Sequence, residues 1–125
     1  MTEQQPQRTD PSDAKPQELA GGVVATDLRV GDGPACPPGA TVTVHYKGTL
    51  QDGTTFDSSY DRGEPITFPL HQLIQGWQVG IPGMRVGGAR RLHIPYAMGY
   101  GLRGAPPAIP PKADLLFEIE LLDVR

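Results

Sequence analysis

A single cysteine, Cys36, stands in the 125-residue chain. That count rules out an intramolecular disulfide and any paired-cysteine metal site within the chain. A domain of this size that folds without such staples suits a reducing compartment. Aromatic residues are also scarce, at 6 %. Long apolar runs are absent, and the first twenty residues contain none at all. Neither a signal peptide nor a membrane span is expected, so cytoplasm is the expected location. Charge of one sign does not accumulate: the formal net charge is −3, with acidic and basic residues scattered. No basic stripe is available for a phosphate backbone, which argues against nucleic-acid binding.

What the chain has in abundance is glycine (16) and proline (14). Together with the length, this points to one domain of short strands and many turns rather than long helices. Residues 1–21 are polar and proline-bearing. Leu19 is their only aliphatic residue larger than Ala, apart from Met1, so they are predicted to be a disordered tail. Residues 22–125 form the predicted folded domain.

Within it, Val24, Thr26, Leu28 and Val30 alternate with their neighbours and predict a half-buried strand. Thr41 to Leu50 is the clearest strand, with Val42, Val44 and Tyr46 on one face and Thr43, His45 and Lys47 on the other. Asp52-Gly53 marks a hairpin leading into Thr55-Phe56-Asp57. Only one segment reads as helical: Leu73, Ile74, Trp77 and Ile81 form one apolar stripe, and Gly80 and Pro82 end it after about two turns. Arg90 to Ile94 alternates again, with Leu92 and Ile94 inward. In the last strand Leu115, Phe117, Ile119 and Leu121 share a face opposite Glu118 and Glu120. The class is therefore α+β: a five- to six-stranded antiparallel, strongly bent sheet wrapped around one short helix.

Several chemical motifs dissolve on inspection. Gly99 to Gly104 matches G-x-G-x-x-G, but the prolines that follow forbid the helix a dinucleotide fingerprint needs. Ser58 and Ser59 lack a nucleophile elbow. His45, His71 and His93 have no ligand-spaced partners and read as solvated surface residues, and Arg90-Arg91 reads as exposed strand. Tyr46, Phe56, Phe68, Trp77, Tyr100 and Phe117 come from six segments. Core packing accounts for most of them, but Tyr100 lies between two glycines in a proline-rich loop, off any patterned strand.

Val44-His45-Tyr46, Gly48-x-Leu50-x-Asp52-Gly53, Phe56-Asp57-Ser58-Ser59, Gly76-Trp77, Tyr100-Gly101 and Ile109-Pro110-Pro111 occur in the order and near-spacing of the FKBP family. Leu115-x-Phe117-x-Ile119-Glu120-Leu121-Leu122 closes the domain in the same way. From about residue 22 to 125 the chain thus resembles FKBP-type peptidyl-prolyl cis-trans isomerases. The resemblance implies a half-barrel curled round a short helix, with a proline pocket between them. It implies an exposed Trp77 indole as floor and Tyr46, Phe56, Ile66, Phe68, Leu73, Ile74, Tyr100, Ile109 and Phe117 as walls. Asp57 would be the one acidic group at the rim, with Arg62 as its charge partner. Phe56, Asp57 and Tyr100 would act most directly on the turning bond, and the Ile74 N–H and Tyr100 hydroxyl would hold peptide carbonyls.

Proline-containing peptides and proteins, together with macrolide inhibitors, are the implied ligands. No cofactor or metal, and a monomeric state, are expected. A non-catalytic module of the same fold that only holds proline segments is the alternative. Ile66 stands where the family often has an aromatic residue, two residues are missing between Leu70 and Leu73, and Ala105 replaces a larger polar side chain. These departures bear on substrate preference and macrolide affinity.

Overall fold

A computed structural model describes residues 15–125. Seven antiparallel strands form one sheet: β1 (Gln17–Glu18), β2 (Val24–Arg29), β3 (Thr41–Leu50), β4 (Thr55–Ser58), β5 (Ile66–Pro69), β6 (Ala89–Ile94) and β7 (Leu115–Val124). Their order is β1-β2-β6-β7-β3-β4, with β5 also paired to β3. The sequence predicts five or six strands, and β1 adds a further two-residue strip. The last strand in chain order lies between β6 and β3, near the middle. Register shifts interrupt β2 against β6, β3 against β4 and β3 against β7. Such bulges sharpen local twist and bend the sheet.

The core follows the predicted alternation on three strands. Val42 and Val44 of β3, Leu92 and Ile94 of β6, and Leu115, Ile119 and Leu121 of β7 are all fully buried. On β2 the phase is opposite to the prediction. Val23 and Ala25 are buried while Val24 and Thr26 are only half-covered. Val23 to Thr26 read equally well on either face, and the face carrying Val23 and Ala25 is the one turned to the core.

The predicted tail boundary at residue 21 is corrected. Gln17↔Ala25 and Glu18↔Val24 pair, the Leu19 N–H donates to Val23 O at 2.7 Å, and the Leu19 side chain packs against the core. A lone leucine is enough to dock a short strand where a sheet edge is open. The expectation for residues 1–14 lies outside the described residues.

Besides the predicted short helix, here α2 (Gln75–Gly80), the described residues include a one-turn α-helix, α1 (Ser59–Arg62). One turn is too short to show periodicity. Its signals are the Ser58 hydroxyl, which accepts from Asp61 N–H at 3.3 Å, and Gly63 in the left-handed region at φ 78°. In α2 the buried residues include Trp77, while Leu73 and Ile74 precede the helix and are half-covered. Gly76 and Gly80 face β6 so closely that an added Cβ would meet Ile94 and Leu92 side chains at 2.5 Å. The helix therefore lies directly on the sheet.

Arg90 and His45 also depart from expectation. Arg90 is 7 % exposed: its Nε donates to Asp27 Oδ1 at 2.6 Å and its NH1 to Gly80 O at 2.8 Å, tying the end of α2 to β6 and β2. A charge leaves the solvent only when paired and hydrogen-bonded, and Asp27 and the helix's terminal carbonyl meet both needs. His45 is no free surface residue, since its ring stacks on Tyr60 at 4.7 Å.

Candidate active site

Between α2 and the inner face of the sheet lies an open pocket of about 390 Å³, mouth included. Strands β3, β4 and β7 place three aromatic side chains around it: Tyr46, Phe56 and Phe117. Trp77 rises from α2 to meet them. Its ring stands edge-on to Tyr46 (5.2 Å, 78°) and to Phe117 (5.1 Å, 86°), and Phe117 stands edge-on to Phe56 (5.4 Å, 87°). These perpendicular contacts are favourable quadrupole arrangements and make the box stiff. Gly48 makes the packing possible: a Cβ there would lie 2.5 Å from Phe56 and 2.7 Å from Phe117.

Ile66, Leu73 and Ile74 close the aliphatic side, and Tyr100 from the proline-rich loop closes the top. Trp77 lines the pocket but is only 4 % exposed, against the expectation of an exposed indole. The encircling rings cover it, and its Nε1 is buried without a hydrogen-bond partner among the described residues.

Among the described residues, Asp57 is the only charged one in the lining. The Tyr46 hydroxyl donates to its Oδ2 at 2.5 Å, and Arg62 NH1 donates to its Oδ1. Arg62 NH2 also donates to the Tyr46 hydroxyl oxygen at 3.0 Å. Burial pushes the Asp57 carboxyl up, but hydrogen bonds from Tyr46 and Arg62 and the Arg62 charge outweigh it, leaving the group below its ordinary value. The Tyr46 phenol is held above its ordinary value, first by burial and then by its bond to Asp57. Burial, and next the Asp57 charge, raise the Tyr100 phenol likewise. The carboxylate is thus ionised and both phenols are neutral at physiological pH.

Of the predicted site residues, three lie outside the lining. Arg62 sits behind Asp57 as its partner. Phe68 is 43 % exposed, on the same face of β5 as Ile66 but two residues farther along. Ile109 is buried, its backbone closing the loop by hydrogen bonds with Ala105. The sequence reading sets Ser59 and His45 aside, yet the Ser59 hydroxyl lies 2.8 Å from His45 Nδ1, directly behind Tyr46. A serine next to a turn carries no signal that distinguishes such a role.

The chain is similar to known proteins over most of its length. A family model for FKBP-type peptidyl-prolyl cis-trans isomerases matches residues 33–122. An FK506-binding protein of Neisseria meningitidis serogroup B is 51 % identical over 106 residues, covering 83 % of this chain and 97 % of the relative. The peptidyl-prolyl cis-trans isomerase FPR2 of Saccharomyces cerevisiae is 54 % identical over 91 residues, covering 70 % of this chain and 67 % of the relative. A crystal structure of a peptidyl-prolyl cis-trans isomerase from Pseudomonas syringae superposes with a TM-score of 0.81 at 38 % identity, covering 95 % of this chain and 85 % of the other.

Proposed function

The chain belongs to the FKBP-type peptidyl-prolyl cis-trans isomerases, and we propose that the aromatic pocket over Trp77 is where the X-Pro bond turns. The observation that carries this reading is the box of perpendicular rings around a single, fully partnered carboxylate. A proline ring is compact and apolar, and such a slot accepts it while rejecting hydrated side chains.

Rotation about the peptide C–N bond breaks no σ bond and moves no proton. It destroys amide resonance, at a barrier of about 18–20 kcal/mol. The planar amide is the more polar form and is the better hydrated. Moving it into an apolar box raises it relative to the twisted form, whose nitrogen is more pyramidal. Carbonyls on either side of the proline would be held by the Tyr100 hydroxyl and by the N–H of Ile74, just before α2. Those contacts let binding energy favour the twisted geometry. A millionfold acceleration needs about 8 kcal/mol from these effects together. In this reading Phe56 and Asp57 touch the turning bond from the β4 side. Asp57, tied to Tyr46 and Arg62, sets the field rather than trading protons.

Macrolides of the FK506 type are proposed to occupy the same slot. Ile66 leaves one wall aliphatic, so their affinity should fall below that of members with an aromatic wall. The test is a protease-free isomerisation assay on a short X-Pro peptide with rising FK506. Turnover and Trp77 fluorescence should change in parallel. Intact turnover at saturating ligand would separate the pocket from the reaction.

A further inference from the structure

Strand β3 has two edges. One pairs with β7 from Val42 to Leu50. The other is shared: β5 takes Thr41 to Val44 and β4 takes Lys47 to Thr49, leaving His45 and Tyr46 without a strand partner on that side. Yet Tyr46 is buried, and a buried peptide N–H and C=O must find partners. One side chain reaches both. The Tyr46 N–H donates to Ser59 Oγ at 2.7 Å, and the same oxygen lies 3.2 Å from Tyr46 O. Ser59 is 0 % exposed.

One hydroxyl has one hydrogen and two lone pairs. A lone pair takes the Tyr46 N–H; the hydrogen goes to Tyr46 O when His45 Nδ1, 2.8 Å away, carries its own proton, and to His45 Nδ1 otherwise. The bond from the Tyr46 N–H stands in both cases. Ser59 opens α1, which also carries Arg62, and it follows β4, which carries Asp57. The stack of Tyr60 on His45 docks the same helix on the same strand. Beside the ladder pair of Gly48 with Asp57, this buried oxygen is a second tie between the strand of Tyr46 and the segment that carries Asp57 and Arg62.

We infer that Ser59 is a positioning residue for isomerisation, its hydroxyl standing in for the missing ladder and setting the Tyr46 phenol against Asp57. This rests on the pocket reading above. The full chain, its Ser59→Ala and Ser59→Thr variants and Asp57→Val would be compared. Turnover per folded molecule is measured on an X-Pro peptide, together with NMR of the Tyr46 amide and hydroxyl protons. In the unaltered protein the Tyr46 amide should be protected from exchange, although it lies in a ladder gap. Ser59→Ala should lower kcat/KM about fivefold, the equivalent of one lost hydrogen bond, and should shift the Tyr46 hydroxyl resonance. Ser59→Thr, which keeps the hydroxyl, should restore both.

A Tyr46 amide that exchanges as fast as an open loop would overturn the inference without recourse to any variant. So would a Ser59→Ala protein that melts earlier but keeps its turnover and its hydroxyl resonance, since its role would then be structural alone. If Asp57→Val also left turnover intact, the pocket reading itself would fail, and the two failures are distinguishable.

Discussion

Asp57 is held between a phenol and a guanidinium, and that fixes how the pocket answers to pH. Its carboxyl lies below the ordinary value in the folded chain. Whatever stability this contributes is present above the unfolded value, about 3.9, and is lost as pH falls through the lower folded value. Tyr46 and Tyr100 are displaced upward from an ordinary value near 10. No pocket group therefore changes charge between about pH 6 and 9, and kcat/KM on an uncharged X-Pro peptide should be flat there. Heavy water should leave the rate nearly unchanged. A bell-shaped profile, or a solvent isotope effect of about two or more, would mean that a proton moves in the slow step. Asp57→Val should reduce turnover by roughly one to two orders of magnitude, about 1.4–2.7 kcal/mol. Tyr100→Phe should cost only about 0.5–1.5 kcal/mol, the worth of one hydrogen bond. A steeper loss at Tyr100 than at Asp57 would reverse the roles assigned to them.

Where elements meet, glycine decides how closely they approach. Gly48 on β3 lets Phe56 and Phe117 close over the strand. Gly48→Ala should push those rings apart at a cost of about 1–3 kcal/mol in stability. It should also loosen the box, so the melting temperature and FK506 affinity should fall together; a normal affinity with a lowered melting temperature would mean that the rings relax elsewhere. The opposite edge offers a second comparison. A chain beginning at Lys15 keeps β1 and Leu19, and one beginning at Gly21 loses both. The second should be less stable than the first by about 1–2 kcal/mol, chiefly from uncovering Leu19, and equal stabilities would show β1 to be ornamental.

These elements also mark what could be read in advance. Strands β3, β6 and β7 were readable because each buries one face, and alternation records it at Val42, Val44, Leu92, Ile94, Leu115 and Ile119. The resemblance named most of the aromatic residues that line the pocket. Covering of Trp77 by its neighbours, burial of Arg90 against Asp27 and the clamp by Ser59 are contacts between distant segments, and no local pattern encodes them. Phe68 and Ile109 show the converse: matching a motif position does not place a side chain in the lining.

The whole molecule is organised about β7, the last strand in chain order and a central one in the sheet. It pairs along its length with β3, so Val44 faces Leu121 and Leu50 faces Leu115. Such distant pairing should make folding slow for this size, in the range of milliseconds to seconds. Stopped-flow refolding in the microsecond range would contradict that. The single tryptophan of the chain packs on Phe117, which arrives with β7. A nascent chain halted before Leu115 would therefore carry β3 with an open apolar flank, and its Trp77 would emit as it does in water. Only when the final strand slides into its central berth would the emission change. Trp77 thus reports from inside the pocket the arrival of β7 in the sheet.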